Sequence, residues 1–414
     1  MKKVLAIGHN YYPELTGIGK YTSEFCNYIS ANTDCSVDVI TGNPYYPQWK
    51  IFNGYKNNKF SKENINGVTV YRTPLYVPAD PSGFKRLLQD TLFLICVKIM
   101  LLYLLISHKK KYDHIFIAVP SFMLGLTGLM YRFFSRRTIV LYHIQDLQID
   151  AAENLGMIKS KTFIKFLYAI ERYVLKRVNH ISTISEGMRE KVLQKSTSLK
   201  ECILFPNWIN NTNIYTIVPK PVIDKDELRN KKIIFYSGAI GEKQGLEIIL
   251  EAAVYFAFNT QFVFIISGEG PYKQKLIERS QEKDLKNIIF LNLMPIEEFN
   301  RMLNAAYIHL VIQKEAGSDF FLPSKLTNIL GIGGCAIVTA TPNTSLYNIL
   351  SENNCGCLIP PSNVQKLCNA IEMLDNDNEQ RNLYSQNALQ YANRFLYQKS
   401  VTENYMQQVG ITKN

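Results

Sequence analysis

Short runs of continuous apolar and β-branched residues recur along the chain, each followed by a longer stretch with helical spacing. In the first half they are "VLAIG" (4–8), "SVDVITG" (36–42), "VTVYRTP" (68–74), "HIFIAVP" (114–120), "TIVLYHI" (138–144), "HISTIS" (180–185) and "CILFPN" (202–207). Strands that are apolar throughout and separated by helices predict a parallel sheet covered on both faces. The second half repeats the grammar with "KIIFYSG" (232–238), "QFVFIISG" (261–268), "NIIFLNL" (287–293), "YIHLVIQ" (307–313), "CAIVTA" (335–340) and "GCLIP" (356–360). Between the two sets, "NNTNIYTIVPKPVIDKDELRNK" (210–231) is polar and irregular and reads as a linker. The expected fold class is α/β: two tandem Rossmann-like, doubly wound parallel-sheet domains. The expected limits are 1–210 for the first domain and 211–392 for the second. The tail 393–414 reads as an amphipathic helix that crosses back to the first domain. Ligands of such sheets bind beyond the carboxyl ends of the strands, so the cleft between the domains is the expected site.

One stretch breaks the alternation. "TLFLICVKIMLLYLLIS" (91–107) is apolar except for Lys98 and its polar ends. A helix of roughly 15–17 residues is about 24 Å long, short of the ~30 Å hydrocarbon core of a bilayer. Two readings stay open: a buried helix of the first domain, or a helix dipping into one leaflet with "KRLL" and "HKKK" on the headgroups.

A length of 414 residues suits two domains, and 47% hydrophobic with 20% charged residues excludes wholesale disorder. Low-complexity tracts and short-period repeats are absent. The formal charge of +11 is concentrated in the first half, in "FKRLL" (84–88), "HKKKYD" (108–113), "FFSRR" (133–137) and the cations from Lys159 to Lys195. That bias fits phosphorylated ligands or an anionic membrane surface. Nucleic acid is excluded as a partner, since no recognition motif accompanies the basic runs. The eight cysteines are scattered, and "CGC" (355–357) has the wrong spacing for a zinc or redox pair. They read as reduced packing residues of a cytosolic protein. The apolar part of "MKKVLAIGHNYYPE" is too short for an export signal.

The candidate chemistry lies in loops that follow strands. "YSGAIGEKQGLEIIL" (236–250) carries Gly238, Gly241 and Gly245 ahead of a helix, and "ISGEGPYKQKL" (266–276) carries Gly268 and Gly270. Glycines let backbone amides approach a phosphate, and a helix start adds unpaired N–H groups and a positive dipole end. In "GSDFFLPSKLTNILGIGG" (317–334), Pro323 suits the first helical position and "GIGG" stops the helix. The amides near Ser324 and Lys325, with the Lys325 ammonium, make a diphosphate cradle. Thr327 and Asn328 follow on the first turn, within reach of a ribose. The opening loop, "GHNYYPELTGIGKYTSEF" (8–25), carries Gly17 and Gly19 at the approach to an aromatic helix that bears Lys20. "DKD" (224–226) and "DND" (375–377) mimic metal-binding carboxylates, but both lie in polar connecting stretches, and no metal site is expected.

These motifs, with "YHIQDL" (142–147), "STISEGM" (182–188) and "FPNWIN" (205–210), occur in an order that resembles the family-4 retaining glycosyltransferases of the GT-B fold. The likeness is to the colanic-acid type of capsule and exopolysaccharide enzymes, and it covers most of the chain. It implies transfer of a sugar from a UDP- or GDP-linked donor, with retention at the anomeric carbon and without a metal or other cofactor. The basic first domain and the 91–107 segment suggest as acceptor a lipid-linked or oligosaccharide glycan at the cytosolic face of a bacterial membrane. The donor-binding set it implies is Gly17, Gly19, Lys20, Gly238, Lys243, Gln244, Gly268, Glu269 and Gly270, with Pro323, Ser324, Lys325, Leu326, Thr327 and Asn328. The catalytic set is His143, Asp146 and Lys325. His143 and Asp146 are placed in a loop after a strand, His143 to hydrogen-bond the transferred sugar and Asp146 to orient the acceptor hydroxyl or the imidazole. His9 borders the same site, and Glu186 reads as a helix-start residue.

The sequence departs from the family at several places. Ala239 stands at a common arginine position and Gln244 at a common lysine position, with Lys243 one residue off. Ser318–Phe321 covers the first of two usual glutamates, and Asn328 stands at the second, which puts more of the phosphate charge on Lys325. Two other classes compete: a non-hydrolysing sugar-nucleotide epimerase on the same fold, and a catalytically silent membrane-associated binding protein. An epimerase acts on donor alone, whereas transfer needs an acceptor.

Overall fold

The computed structural model describes residues 1–14, 17–46, 48–55, 59–79, 83–106, 111–154, 160–195, 201–209, 230–314 and 324–412. Most of the expected linker, the run 108–110, Ser318–Phe321 and Pro323 lie outside the described residues, as do the side chains of Lys243 and Ser324. The chain divides into two compact units, Met1–Asn207 with Thr402–Asn414, and Trp208–Val401.

The first unit runs β1 (Lys3–Gly8), α1 (Gly17–Asn32), β2 (Ser36–Gly42), β3 (Ser61–Ile65), β4 (Val68–Thr73), α2 (Gly83–Ile106) and β5 (His114–Val119). It continues with α3 (Gly125–Phe134), β6 (Ile139–Ile144), α4 (Gln148–Asn154), α5 (Lys161–Leu175), β7 (His180–Thr183), α6 (Glu186–Gln194) and β8 (Ile203–Leu204). Its eight strands lie in the order β3-β4-β2-β1-β5-β6-β7-β8. All pairs are parallel except β3 with β4. The strand β3, "SKENI", escapes a search for apolar runs because it is a polar edge strand; only interior strands must be apolar on both sides.

The second unit runs β9 (Lys232–Ser237), α7 (Glu247–Tyr255), β10 (Phe262–Ser267), α8 (Lys273–Glu282), β11 (Ile288–Leu291), α9 (Ile296–Ala305) and β12 (Ile308–Val311). Then follow α10 (Ser324–Gly331), β13 (Ala336–Thr339), α11 (Ser345–Asn353), β14 (Cys357–Ile359), α12 (Val364–Asn376), α13 (Asn378–Phe395) and α14 (Gln398–Gln408), the last of which passes into the first unit. The six strands lie in the order β11-β10-β9-β12-β13-β14, all parallel. Apolar clusters fill both faces of this sheet, one around Ile234, Phe264 and Leu310 and the other around Phe235, Ile265 and Val311. The chain reverses its direction of strand addition between β9 and β12, so the loops leaving those strands flank the switch point where ligands of such sheets bind.

Two expectations are corrected here. The apolar helix is not short: α2 has 24 residues, about 36 Å at 1.5 Å per residue. It begins about two turns earlier, at Gly83 ahead of the basic "FKRLL" stretch, because nothing in that stretch stops a helix. By length and composition it is apolar enough to cross a membrane, yet one stripe belongs to the core of the first unit. Phe93, Val97, Leu101 and Leu104 are at most 1% exposed. The tail is not one helix. α13 stops at Phe395, and the backbone of Leu396 to Gln398 turns to bond Ile209 in both directions (2.7 and 3.1 Å) before α14 starts.

Candidate functional site

The strand β9 ends at Tyr236 and Ser237 and opens into Gly238 and Ala239. The Tyr236 hydroxyl donates to the carbonyl of Ala239 (2.9 Å), which folds the loop over its own strand. The neighbouring loop after β10 is laced to it through backbone: Gly238 N–H donates to Ser267 (3.0 Å) and Ile240 N–H to Glu269 (2.9 Å). A Cβ on Gly268 would sit 1.9 Å from the Gly238 carbonyl oxygen, and one on Gly270 would sit 2.1 Å from that of Ile240. These two glycines therefore serve the approach of loop to loop, a role distinct from the backbone approach to phosphate expected of them. The carboxylate of Glu269 is held by Lys273 (3.0 Å), whose ammonium also donates to Asn292 (2.6 Å).

α10 brings Lys325 back to this place as its second residue. The ammonium donates to the Tyr236 hydroxyl (3.0 Å), stands 4.3 Å from the centre of that ring, and lies against Gly238. A side chain at Gly238 would meet it at 3.4 Å. No carboxylate pairs with Lys325 among the described residues. Burial without a counter-charge lowers its pKa to about 8. The result is a cation held at a strand end, among the described residues, by an aromatic ring and its hydroxyl, next to the first-turn amides of a helix. That combination is chemically suited to a phosphate or diphosphate.

The remaining residues of this helix divide by burial. Leu326 is fully buried in the apolar cluster beneath the sheet. Its side chain cannot reach a ligand, which corrects its place in the expected set; only its amide is at the helix start. Thr327 and Asn328 are half-buried on the first turn. Gln244 does not project from its loop, since its side-chain oxygen accepts from Gly241 N–H (3.1 Å) and closes the short turn Glu242–Gln244. The backbone of Lys243 lies in that turn.

Lys314, which follows β12, was not singled out by the sequence. Its aliphatic stem crosses Gly245, where a Cβ would come within 2.9 Å of its Cγ. Gly245 has φ +69° and closes the turn before α7. At Glu247, burial raises the carboxyl pKa, but the Tyr272 hydroxyl, its own amide, Lys314 and Arg279 together bring it below the usual value. Lys314 thus lies just past the strand that flanks the switch point, beside the loop in which Ala239 and Gln244 stand where the resemblance gives cations. No spacing rule points to it, because it meets the loop through the fold and not through local sequence.

In the first unit the loop after β1 is built around a buried carboxylate. Glu14 accepts from the amides of Tyr45 (2.7 Å) and Tyr46 (2.8 Å) and from the Asn10 amide group (2.9 Å). Burial raises its pKa against those donors and against Arg72. Gly19 packs on it: a Cβ there would stand 3.2 Å from Glu14 and Asn10. Gly17 has φ +59° with open space around it. Lys20 is half-buried, its ammonium 5.2 Å from the Tyr21 ring. Beneath the loop, fully buried Arg72 donates to the carbonyls of Tyr12 (2.6 Å) and Gly42 (3.1 Å) and pairs with Glu63. The sequence carried no sign of either Glu14 or Arg72 as builders of this loop. His9 faces Asp90 (3.2 Å), and Gln148 donates to the other oxygen of that carboxylate (2.7 Å).

His143 is corrected. It lies within β6, not in the loop beyond it, and alternation turns its ring into the core opposite Tyr142. Its Nδ1 is 3.0 Å from Ser182 Oγ, and it stacks at 5.5 Å on Phe116. Burial depresses its pKa to about 3, so it is neutral at physiological pH and has no route to a sugar. Asp146 is exposed just beyond the strand. Glu186 opens α6 and pairs with Arg189 (3.0 Å). Asp375 pairs with Lys232 (2.5 Å), and Asp377 caps α13 by accepting from Gln380 N–H (2.8 Å), so both carboxylates of "DND" have structural work. The eight cysteines are unpaired thiols, six of them buried.

Comparison with known proteins follows the same division. The profile described as "Glycosyl transferases group 1" matches residues 220–391, and that described as "Glycosyl transferase 4-like domain" matches 16–208. The chain is 39% identical over 355 residues to WcaI of Escherichia coli (strain K12), which carries the name of a colanic acid biosynthesis glycosyl transferase. That alignment covers 83% of this chain and 84% of the relative. Among solved structures, sucrose-phosphate synthase of Thermosynechococcus elongatus (TM-score 0.63, 15% identity) covers 100% of both chains. So does Alr3699/HepE of Anabaena in complex with UDP (TM-score 0.63, 12% identity). At such identities these structures establish the fold, GT-B.

Proposed function

The chain belongs to the group 1 glycosyl transferases, and on that premise we propose that it transfers a sugar from a nucleotide-diphosphate donor to a lipid-linked glycan in exopolysaccharide or capsule synthesis. The transfer retains the configuration of the anomeric carbon. The observation that carries this reading is Lys325, a buried ammonium with no carboxylate among the described residues, placed at the switch point beside Gly238. The name of WcaI supports the exopolysaccharide setting, and HepE, which shares the fold, has been solved with UDP and with UDP-glucose.

The chemistry follows from where charge develops. As the bond between the anomeric carbon and the diphosphate stretches, negative charge gathers on the leaving phosphate and positive character on the sugar ring. Lys325 and the first-turn amides of α10 are fixed donors for the leaving group and need no reorganisation as it departs. Lys314 supplies a second cation from across Gly245, in place of the cations missing at Ala239 and Gln244. These groups supply neutralisation without a metal. Thr327 and Asn328 take the ribose, and the loops of Gly238 to Lys243 and of Gly268 to Gly270 frame the diphosphate. In the first unit, Gly17, Gly19, Lys20 and Asp146 serve the sugar and the acceptor hydroxyl.

The test is a melting-temperature titration of the full chain with UDP-sugars and GDP-sugars, wild type against Lys325→Met. A ligand that binds only the folded state raises the melting temperature. The expected result is a rise with one nucleotide class that Lys325→Met abolishes. No rise with either class, or an equal rise in the variant, overturns the reading.

A further inference from the structure

The helices α2, α3 and α5 pack side by side on the first sheet, α2 against α3 and α3 against α5. The inner stripe of α2 is core, but its outer stripe is apolar as well. Leu88, Leu92, Ile95, Ile99, Leu102 and Ile106 are 37–71% exposed at alternating three- and four-residue steps. That stripe is about 27 Å long. Next to it, α3 ends in Phe133 and Phe134, exposed at 78% and 56%, and α5 exposes Phe163, Phe166 and Tyr173. A helix that is apolar on all sides is ordinarily buried on all sides, and this one is not.

The charges on the same three helices are one-sided. They hold seven cations: Lys85, Arg86 and Lys98 on α2, Arg132 on α3, and Lys161, Lys165 and Arg172 on α5. They hold two carboxylates, Asp90 and Glu171, both buried. Arg136 and Arg137 extend the cationic margin just past α3. No exposed carboxylate occurs on the three helices.

We propose that the outer face of α2, α3 and α5 docks in the plane of a bilayer rich in anionic lipids. The apolar stripe enters the headgroup and acyl boundary, and the lysines and arginines contact the headgroups. Apolar area and headgroup attraction are the two terms that bind an interfacial helix. A second copy of this chain fits the face poorly, because two surfaces with cations and no exposed carboxylate repel. α2 lies in the interface and does not span it, since Phe93, Val97, Leu101 and Leu104 belong to the core of the first unit. The inference rests on the lipid-linked acceptor of the preceding section for its use. Its test reads lipid binding alone, so the two stand or fall separately.

The experiment is flotation of the full chain with vesicles of phosphatidylcholine, alone and mixed with phosphatidylglycerol. The expected result is binding to the mixed vesicles, reduced about 100-fold by Ile95→Glu with Ile99→Glu and Ile106→Glu. Lys161→Glu with Lys165→Glu is expected to reduce it on the order of 10-fold at low salt. Unchanged melting temperatures show that the variants are folded. As a readout independent of those variants, Phe134→Trp is expected to gain fluorescence quenching by lipids brominated in the acyl chain. The proposal is overturned by absence of flotation with mixed vesicles, by flotation indifferent to the apolar triple variant, or by no added quenching. A stable wild-type dimer that the triple variant dissolves also overturns it.

Discussion

After β1 the chain enters a loop built on Glu14 and Arg72; after β9 it enters one that meets Lys325. Both loops leave a strand at which the sheet reverses its order, and both bury a charge. In the first, every charge has its partners: three donors for Glu14, and two carbonyls with Glu63 for Arg72. In the second, the ammonium of Lys325 has a phenol and the face of its ring, with no carboxylate among the described residues. Buried charges normally arrive paired. The first loop is thus complete as a structure. The second carries the cation to which the proposed function assigns the donor's diphosphate, so the proposal divides stability and ligand binding between the two.

Substitutions can separate these roles, and the largest effect is expected at Arg72. Arg72→Met strips two buried carbonyls and Glu63 of their donor, and a cost of about 3–5 kcal/mol is expected, read as a shift in the denaturant midpoint. Lys325→Met should leave that midpoint unchanged or higher. It should instead lower kcat by roughly 10²–10³, the scale for losing one fixed donor to a developing anion. If Lys325→Met unfolds the protein while sparing turnover, the contrast between the loops is wrong.

Glu14→Ala should cost about 1–3 kcal/mol, because the Tyr45 and Tyr46 amides and Asn10 lose an acceptor. Lys314→Met sharpens the comparison from the other side: on the order of a tenfold loss of donor affinity is expected, with stability retained. The pH dependence carries a sign. Lys325 is protonated below its lowered pKa of about 8, so donor affinity should be flat below that pH. Above it, affinity should fall by roughly tenfold per pH unit, and Lys325→Arg should move the break to higher pH. The smallest effect is expected from chelation: turnover in excess EDTA should change by less than about twofold, since fixed cations and amides neutralise the leaving group.

The alternation of apolar runs and helices was legible because a parallel strand buried on both faces must be apolar throughout, and that rule acts residue by residue along the chain. It is blind to β3, a polar strand whose place depends on its partner β4. The same limit hid Glu14, Arg72 and Lys314. Each meets its partners across loops far away in sequence, and no spacing encodes that. Lys325 was legible because its helix start is local. His143 was misplaced by one or two residues at a strand end. In a strand that is enough to turn a side chain from the rim into the core. Leu326 was carried along by its neighbours, although one step along a helix turns a residue through about 100°.

The first unit takes in Thr402–Asn414. Tyr405 stacks on Phe205 at 3.9 Å and bonds Ser182 (3.2 Å), and Lys2 donates to the carbonyl of Gly410 (2.7 Å). A ribosome makes those residues only after all of the second unit. The amino-terminal half must therefore wait, its aromatic slot open, while the later half has everything it needs to fold. During synthesis the unit begun second can be the one finished first.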